Sequence, residues 1–197
     1  MKIITSPRLF IYEFDPAHTE MLVDWLPTKR AVAEFGGVHL THPITTEQLL
    51  SPPSTEAAPA GRRVYSASSR ELGMLVGHGA LFGIDDKAKH CRLAHVLIAP
   101  MVRGEGLGRE LVALLCTAAF DILRMDSVSL RVFEHNEAAV ACYGGVGFLP
   151  SAEAPVERRF GRQRWMLHSM TLERDRWLKL RPEWAVAARE GDDCCSH

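Results

Sequence analysis

The sequence predicts a mixed α/β fold: a mostly antiparallel sheet with one parallel pair at its centre, flanked by helices. Strand-like segments follow one another from Arg63 to Ile98 with only short polar turns between them. A strand–helix–strand passage comes next, across residues 91–133, and the chain has no internal repeat. Strands joined by tight turns pair antiparallel, whereas a strand that returns after a helix pairs parallel with the one before it.

Leu9 to Phe14 alternates apolar and polar residues of β-forming types and reads as the opening strand. Asp15-Pro16 then offers an N-cap with proline in the first turn, and Met21, Leu22 and Trp25 keep helical spacing until Pro27 stops them. A further helical stretch is expected at Thr45 to Leu50, after Pro43. Residues 51–61, with prolines, alanines and a Ser-Thr pair, have no periodicity and read as a mobile loop within a single domain spanning 1–180. Strands are expected at Val64–Ser68, Met74–Phe82 and Cys91–Ile98, separated by turns at Arg70–Gly73 and Asp85–Lys89. Pro100 ends the meander, and Leu107, Leu111, Leu114, Leu115, Ala118 and Ile122 mark an amphipathic helix. A strand at Val128–Phe133, a short helix at Glu137–Gly144, a charged loop and a late strand at Arg164–Leu172 complete the order, with 181–197 read as a tail.

A chain of 197 residues, 47% hydrophobic, matches the length of one domain and can bury about 70% of its unfolded surface. Charged residues are 24% and balance to a net −1, so nothing in the balance asks for nucleic acid or an anionic membrane, and any charge-driven partner must be local. The five cysteines are odd in number, and Cys91, Cys116 and Cys142 sit in apolar segments rather than at framework spacing. Cys194 and Cys195 have no clustered partners and receive no metal or redox role; no metal is expected. The opening residues lack a signal-peptide pattern, and no apolar run approaches the roughly 18 residues of a membrane span. A cytoplasmic protein is expected.

Chemistry concentrates where the third strand of the meander ends. Gly104, Gly106 and Gly108 remove side chains as the strand turns into a helix, so several bare N–H groups can face one anion, backed by the helix dipole. A pyrophosphate suits such a turn, and so does a tight turn needing glycine only for its backbone angles. The spacing G-x-G-x-G is not the dinucleotide fingerprint G-x-G-x-x-G, and Arg109 stands where a P-loop needs lysine and a hydroxyl residue.

Arg103-x-x-Gly106-x-Gly108, following an apolar strand and Ala99-Pro100, resembles the signature of the GNAT superfamily of acyl-CoA-dependent N-acyltransferases. A second pattern of that family is matched downstream by Asn136, Ala139, Tyr143, Gly147 and Phe148. Ser6-Pro7-Arg8-Leu9 and the late Met170, Leu172 and Trp177 look like the branch that contains ribosomal-protein N-terminal acetyltransferases. The resemblance implies a sheet splayed at its central parallel pair, with acetyl-CoA as co-substrate. It implies that Val96, Leu97 and Ile98 offer backbone groups to the pantetheine arm, as to an added strand. Arg103, Gly104, Glu105, Gly106, Leu107, Gly108 and Arg109 would hold the pyrophosphate, and Asn136 the cofactor arm. The acetyl carbonyl would lie near the Ile98 amide, a donor for the developing oxyanion. Tyr143 would return a proton to the departing thiolate.

The base departs from the family pattern. Where relatives often carry a glutamate, this chain has Arg92-Leu93 and Arg131. His95, on the strand entering the site, is the candidate base, with His78 beside it and Glu134 and His135 as outsiders. The expected reaction is acetyl transfer by direct attack of a primary amine, belonging to a small molecule or a protein N-terminus. The rival is an acyl-CoA-binding sensor with little catalysis. A homodimer is expected by resemblance.

Overall fold

The computed structural model describes residues 3–50 and 61–185. One nine-stranded sheet organises it. Its strands are β1 (Ile4–Thr5), β2 (Leu9–Glu13), β3 (Gly61–Ser69), β4 (Leu75–Asp85), β5 (His90–Ile98), β6 (Ser127–Phe133), β7 (Leu149–Pro150), β8 (Val156–Phe160) and β9 (Gln163–Glu173). Their order in space is β1-β2-β3-β4-β5-β6-β9-β7, with β8 also on β9. Only β5 and β6 are parallel, at the centre as expected, because α4 (Leu107–Thr117) carries the chain between them. The mobile loop expected at 51–61 falls outside the described residues except for Gly61, which opens β3.

Two apolar layers cover the two faces. Leu111, Leu114 and Leu115 of α4 pack with Cys91 and Leu93 of β5 and Val128 and Leu130 of β6. On the other face Leu22 of α1 (Thr19–Trp25), Val32 of α2 (Lys29–Gly36) and Leu49 of α3 (Thr46–Leu50) pack against Phe82 and Leu97.

Several elements differ from the sequence expectation. Pro27 does stop α1, but Thr28 immediately caps α2 by accepting the Ala31 amide at 3.1 Å, a restart that periodicity alone passed over. The charged stretch before the last strand is β8, an edge strand whose alternation is hidden by charge on both faces. The helix expected through Ile122 changes to π geometry over Ala118–Ile122, and Leu123 donates five residues back to Ala118 at 2.9 Å. Arg174 takes up neighbouring carbonyls, donating to Phe120 at 2.7 Å and Met125 at 2.6 Å. Arg174 opens α6 (Arg174–Leu180), which buries Trp177 against Phe120. Among the described residues no helix is long and apolar enough to cross a membrane.

Candidate active site

The turn between β5 and α4 stands open. Gly104 and Gly106 adopt φ of 85° and 81°, a region that costs other residues about 1–2 kcal/mol. Residues 103–106 are exposed, and a Cβ built on Gly104 would meet nothing within 4 Å. Among the described residues, the amides from Gly104 to Arg109 make no hydrogen bond; the first helical bond runs from Glu110 to the Gly106 carbonyl at 3.3 Å. Unpaired donors at the positive end of an eleven-residue helix form an anion cradle. That donor set fits a diphosphate. Arg103 turns the other way, its Nε donating to the Ile98 carbonyl at 3.0 Å, so this carbonyl is already engaged rather than offered along the strand edge.

A buried carboxylate fixes the cradle to the sheet. Glu110, 7% exposed, accepts from Ser6 Oγ at 2.6 Å, from the Arg8 amide at 2.9 Å and from Arg8 Nε at 2.8 Å. Burial alone would raise its pKa; the bonds from Ser6 and Arg8 and the guanidinium charge outweigh that and hold it below the usual carboxylate value. The same guanidinium donates to the Glu105 carbonyl at 2.9 Å. That bond ties the Glu105 carbonyl to the residue just ahead of β2. Sequence reasoning used Ser6-Pro7-Arg8-Leu9 only as a resemblance and passed over Glu110, whose signal was an acid in the first turn of an otherwise apolar helix.

Beyond Arg92 and Ser129 the pairing of β5 with β6 ends, and the strands part. The gap opens toward α2 into a cavity of about 290 Å³, which Phe35, Ala94, His95, Phe133 and Leu167 help to line. His95 reaches it through a bulge: the register slips between His78 and Ala80 of β4, and His95 takes φ 55°. Without the slip His95 would share the α4 face with Cys91 and Leu93. The extra residue turns it to the α2 face, where Phe35 stacks on it at 5.0 Å and Phe82 meets it edge-on at 5.2 Å.

His95 and its neighbour His78 are almost wholly buried, and neither ring nitrogen of either has a well-formed hydrogen bond. Burial lowers His95 to about 4, although the Leu49 carbonyl offers one nitrogen a weak partner. Burial lowers His78 to about 3, and the His95 ring adds to the effect. His95 therefore stands at the cavity, as the sequence led us to expect, but its basicity is too low for the base role assigned to it.

The second motif lies against the first. α5 (Glu137–Val146) packs on α4, and a Cβ on Gly108 would come within 3.6 Å of Cys142 Sγ and 3.8 Å of Ile98 Cγ1. The end of β5, the start of α4 and the middle of α5 thus converge. Tyr143 is half-buried, and among the described residues its hydroxyl makes no hydrogen bond. Burial pushes its pKa well above the ordinary value, so the phenol keeps its proton at neutral pH. Asn136 caps α5 by accepting the Ala139 amide at 3.2 Å, and among the described residues its amide NH2 has no partner. Val96 and Ile98 are partly exposed, while Leu97 is buried in the α2-side layer.

The cavity also gathers residues absent from the sequence-derived site. Glu34 of α2 lines it, and its Oε1 accepts from Arg30 Nε at 2.9 Å and meets His135 Nε2 at 3.1 Å. Glu134 does not line it. Arg92, Arg131 and Arg158 do, from three different strands. Missing α2 hid Glu34, and reading β8 as loop hid the direction of Arg158.

The acetyltransferase (GNAT) family profile matches residues 31–148 of this chain. Among solved structures, the spermidine N-acetyltransferase from Vibrio cholerae in complex with CoA and spermine aligns at a TM-score of 0.71 and 18% identity, over 88% of this chain and 99% of its own. A structure described as a putative acetyltransferase aligns at 0.67 and 16%, over 92% and 91%. At these identities the likeness is one of fold.

Proposed function

The chain belongs to the acetyltransferase (GNAT) family, and from that premise we propose that it moves the acetyl group of acetyl-CoA onto a primary amine by direct attack within a ternary complex. The observation that carries the reading is the row of unpartnered amides from Gly104 to Arg109 at the mouth of the splayed strands. Acetyl-CoA supplies the activated thioester. The chain's own residues hold its diphosphate on those amides and its arm along the end of β5, with the Asn136 amide NH2 as a further donor. Tyr143 carries the proton needed by the leaving sulfur.

Magnitudes assign His95 its part. An α-amine of pKa about 8 loses its proton to water at pH 7 for about 1.4 kcal/mol. Passing the same proton to an imidazole held at about 4 costs about 5 kcal/mol. The amine therefore enters neutral, and His95 accepts a hydrogen bond that aims its lone pair. Positioning two reactants in this way supplies most of the acceleration.

The acceptor is a small-molecule amine or a protein N-terminus. The spermine complex of the Vibrio cholerae enzyme supports the first; Ser6-Pro7-Arg8-Leu9 and the likeness to the ribosomal-protein branch support the second. Incubation with acetyl-CoA and amines of each class, read by mass spectrometry, tests the proposal. An acetylated amine and free CoA are expected; tight acetyl-CoA binding with no acetylated product in any class favours the sensor reading.

A further inference from the structure

Three arginines line the cavity beneath α2, Arg92 on β5, Arg131 on β6 and Arg158 on β8. The acid among the lining residues is Glu34, and its carboxylate is taken by Arg30 and His135. Arg131 is half-buried, and among the described residues its guanidinium makes neither a hydrogen bond nor an ion pair. Arg158 donates to the Glu157 carbonyl at 3.2 Å and has no acidic partner among the described residues. Ser169 stands opposite Arg131 in the β6–β9 pair, and its Oγ donates at 2.7 Å to Glu153, which does not line the cavity. Burial, and then the Arg158 charge, lower the pKa of His39 on the rim.

Arg131 and Arg158, partly buried and without carboxylate partners among the described residues, would gain from a ligand that completes the pairing. Arginine's planar fork suits a carboxylate or a phosphate. Phe35, Phe133 and Leu167 add apolar surface to the lining, and the cavity is no larger than a small metabolite needs. At the β5 end stands His95, whose nitrogens lack full partners.

We propose that the acceptor is a small amine that also carries an anionic group, a carboxylate in the first place, seated against Arg131 and Arg158 with its amine toward His95. This rests on the acetyl-transfer reading, because it names the substrate class of that same site. A polyamine is the opposite case: its additional positive charges meet guanidinium groups.

Calorimetry on the CoA-loaded protein tests the pairing without requiring turnover. The probes are free amino acids, the carboxamide of each that binds, phosphoethanolamine, putrescine, spermidine and a hexapeptide with a free N-terminus. We expect at least one free acid to bind ten-fold or more tightly than its own carboxamide and than either polyamine. Tighter binding of phosphoethanolamine than of any amino acid keeps the anion and moves its source to phosphate. Arg131→Gln and, on the exposed hairpin, Arg158→Gln should each bring the acid-to-carboxamide ratio toward one while the Kd for CoA stays within two-fold. Equal binding of acid and carboxamide, or preference for a polyamine or the hexapeptide, overturns the inference. Acetylation of polyamines alone would do so while leaving the transfer reading intact; selective binding of acids with no acetylated product would do the reverse.

Discussion

Replacing Tyr143 by phenylalanine removes one oxygen from a half-buried ring and leaves its packing on Phe148 in place. If the phenol protonates the leaving sulfur, Tyr143→Phe lowers kcat by roughly 10²-fold, the lower end for general acid catalysis. Calorimetry should give the same Kd for acetyl-CoA within two-fold; an unchanged kcat removes the assigned role. Gly106→Ala acts on the other half of the chemistry. Its φ of 81° disfavours a Cβ by about 1–2 kcal/mol, so the turn relaxes and the amides lose their common direction. The KM for acetyl-CoA should rise about ten-fold with little change in melting temperature. The two substitutions separate proton delivery from phosphate binding, and their effects should multiply in the double variant.

At the scale of elements, the Glu110 carboxylate joins α4 to the turn between β1 and β2 and so ties the cradle to the sheet. Glu110→Gln keeps the shape and removes the charge that Arg8 answers. Hydrogen bonds to charged groups contribute about 1.5–3 kcal/mol, so urea unfolding should register a loss in that range. The KM for acetyl-CoA should rise as well, because Arg8 also anchors the Glu105 carbonyl. A destabilised protein with unaltered KM would mean that the clamp supports the fold alone. The meander, the parallel pair and the glycine turn were legible because period-two alternation, an intervening helix and a glycine triplet each leave a direct mark on sequence. α2 and β8 were not. Proline followed by a threonine cap resembles an ending more than a restart, and Arg158 shares a face with Val156 and Phe160, so charge on both faces masks the alternation. The cost fell on the site: Glu34 lies on α2 and Arg158 on β8. His95 was found, yet its environment was not, because a bulge is a register event between two strands and leaves no trace in one of them.

At the scale of the whole molecule, the two layers meet at a sheet that holds His78 and His95 neutral. Both fold with pKa values near 3 and 4 against 6.5 when unfolded. Above pH 6.5 neither state binds these protons. Below it the unfolded chain takes them up and the folded chain does not, so stability falls as pH drops toward 4. The slope is about 1.4 kcal/mol per pH unit for each ring, roughly 2.7 for the pair. Chemical denaturation between pH 7 and 4.5 should show that loss, and His78→Phe should reduce the slope by about half; a flat profile would mean the rings are solvated. Fold, splay and cradle together make one claim, that the open amides after β5 receive the diphosphate of CoA. Amide NMR of the labelled protein titrated with CoA addresses it directly. The account predicts the largest shifts at Gly104, Gly106, Gly108 and Arg109, saturating with the binding curve. Saturable binding that leaves those four amides unmoved contradicts it.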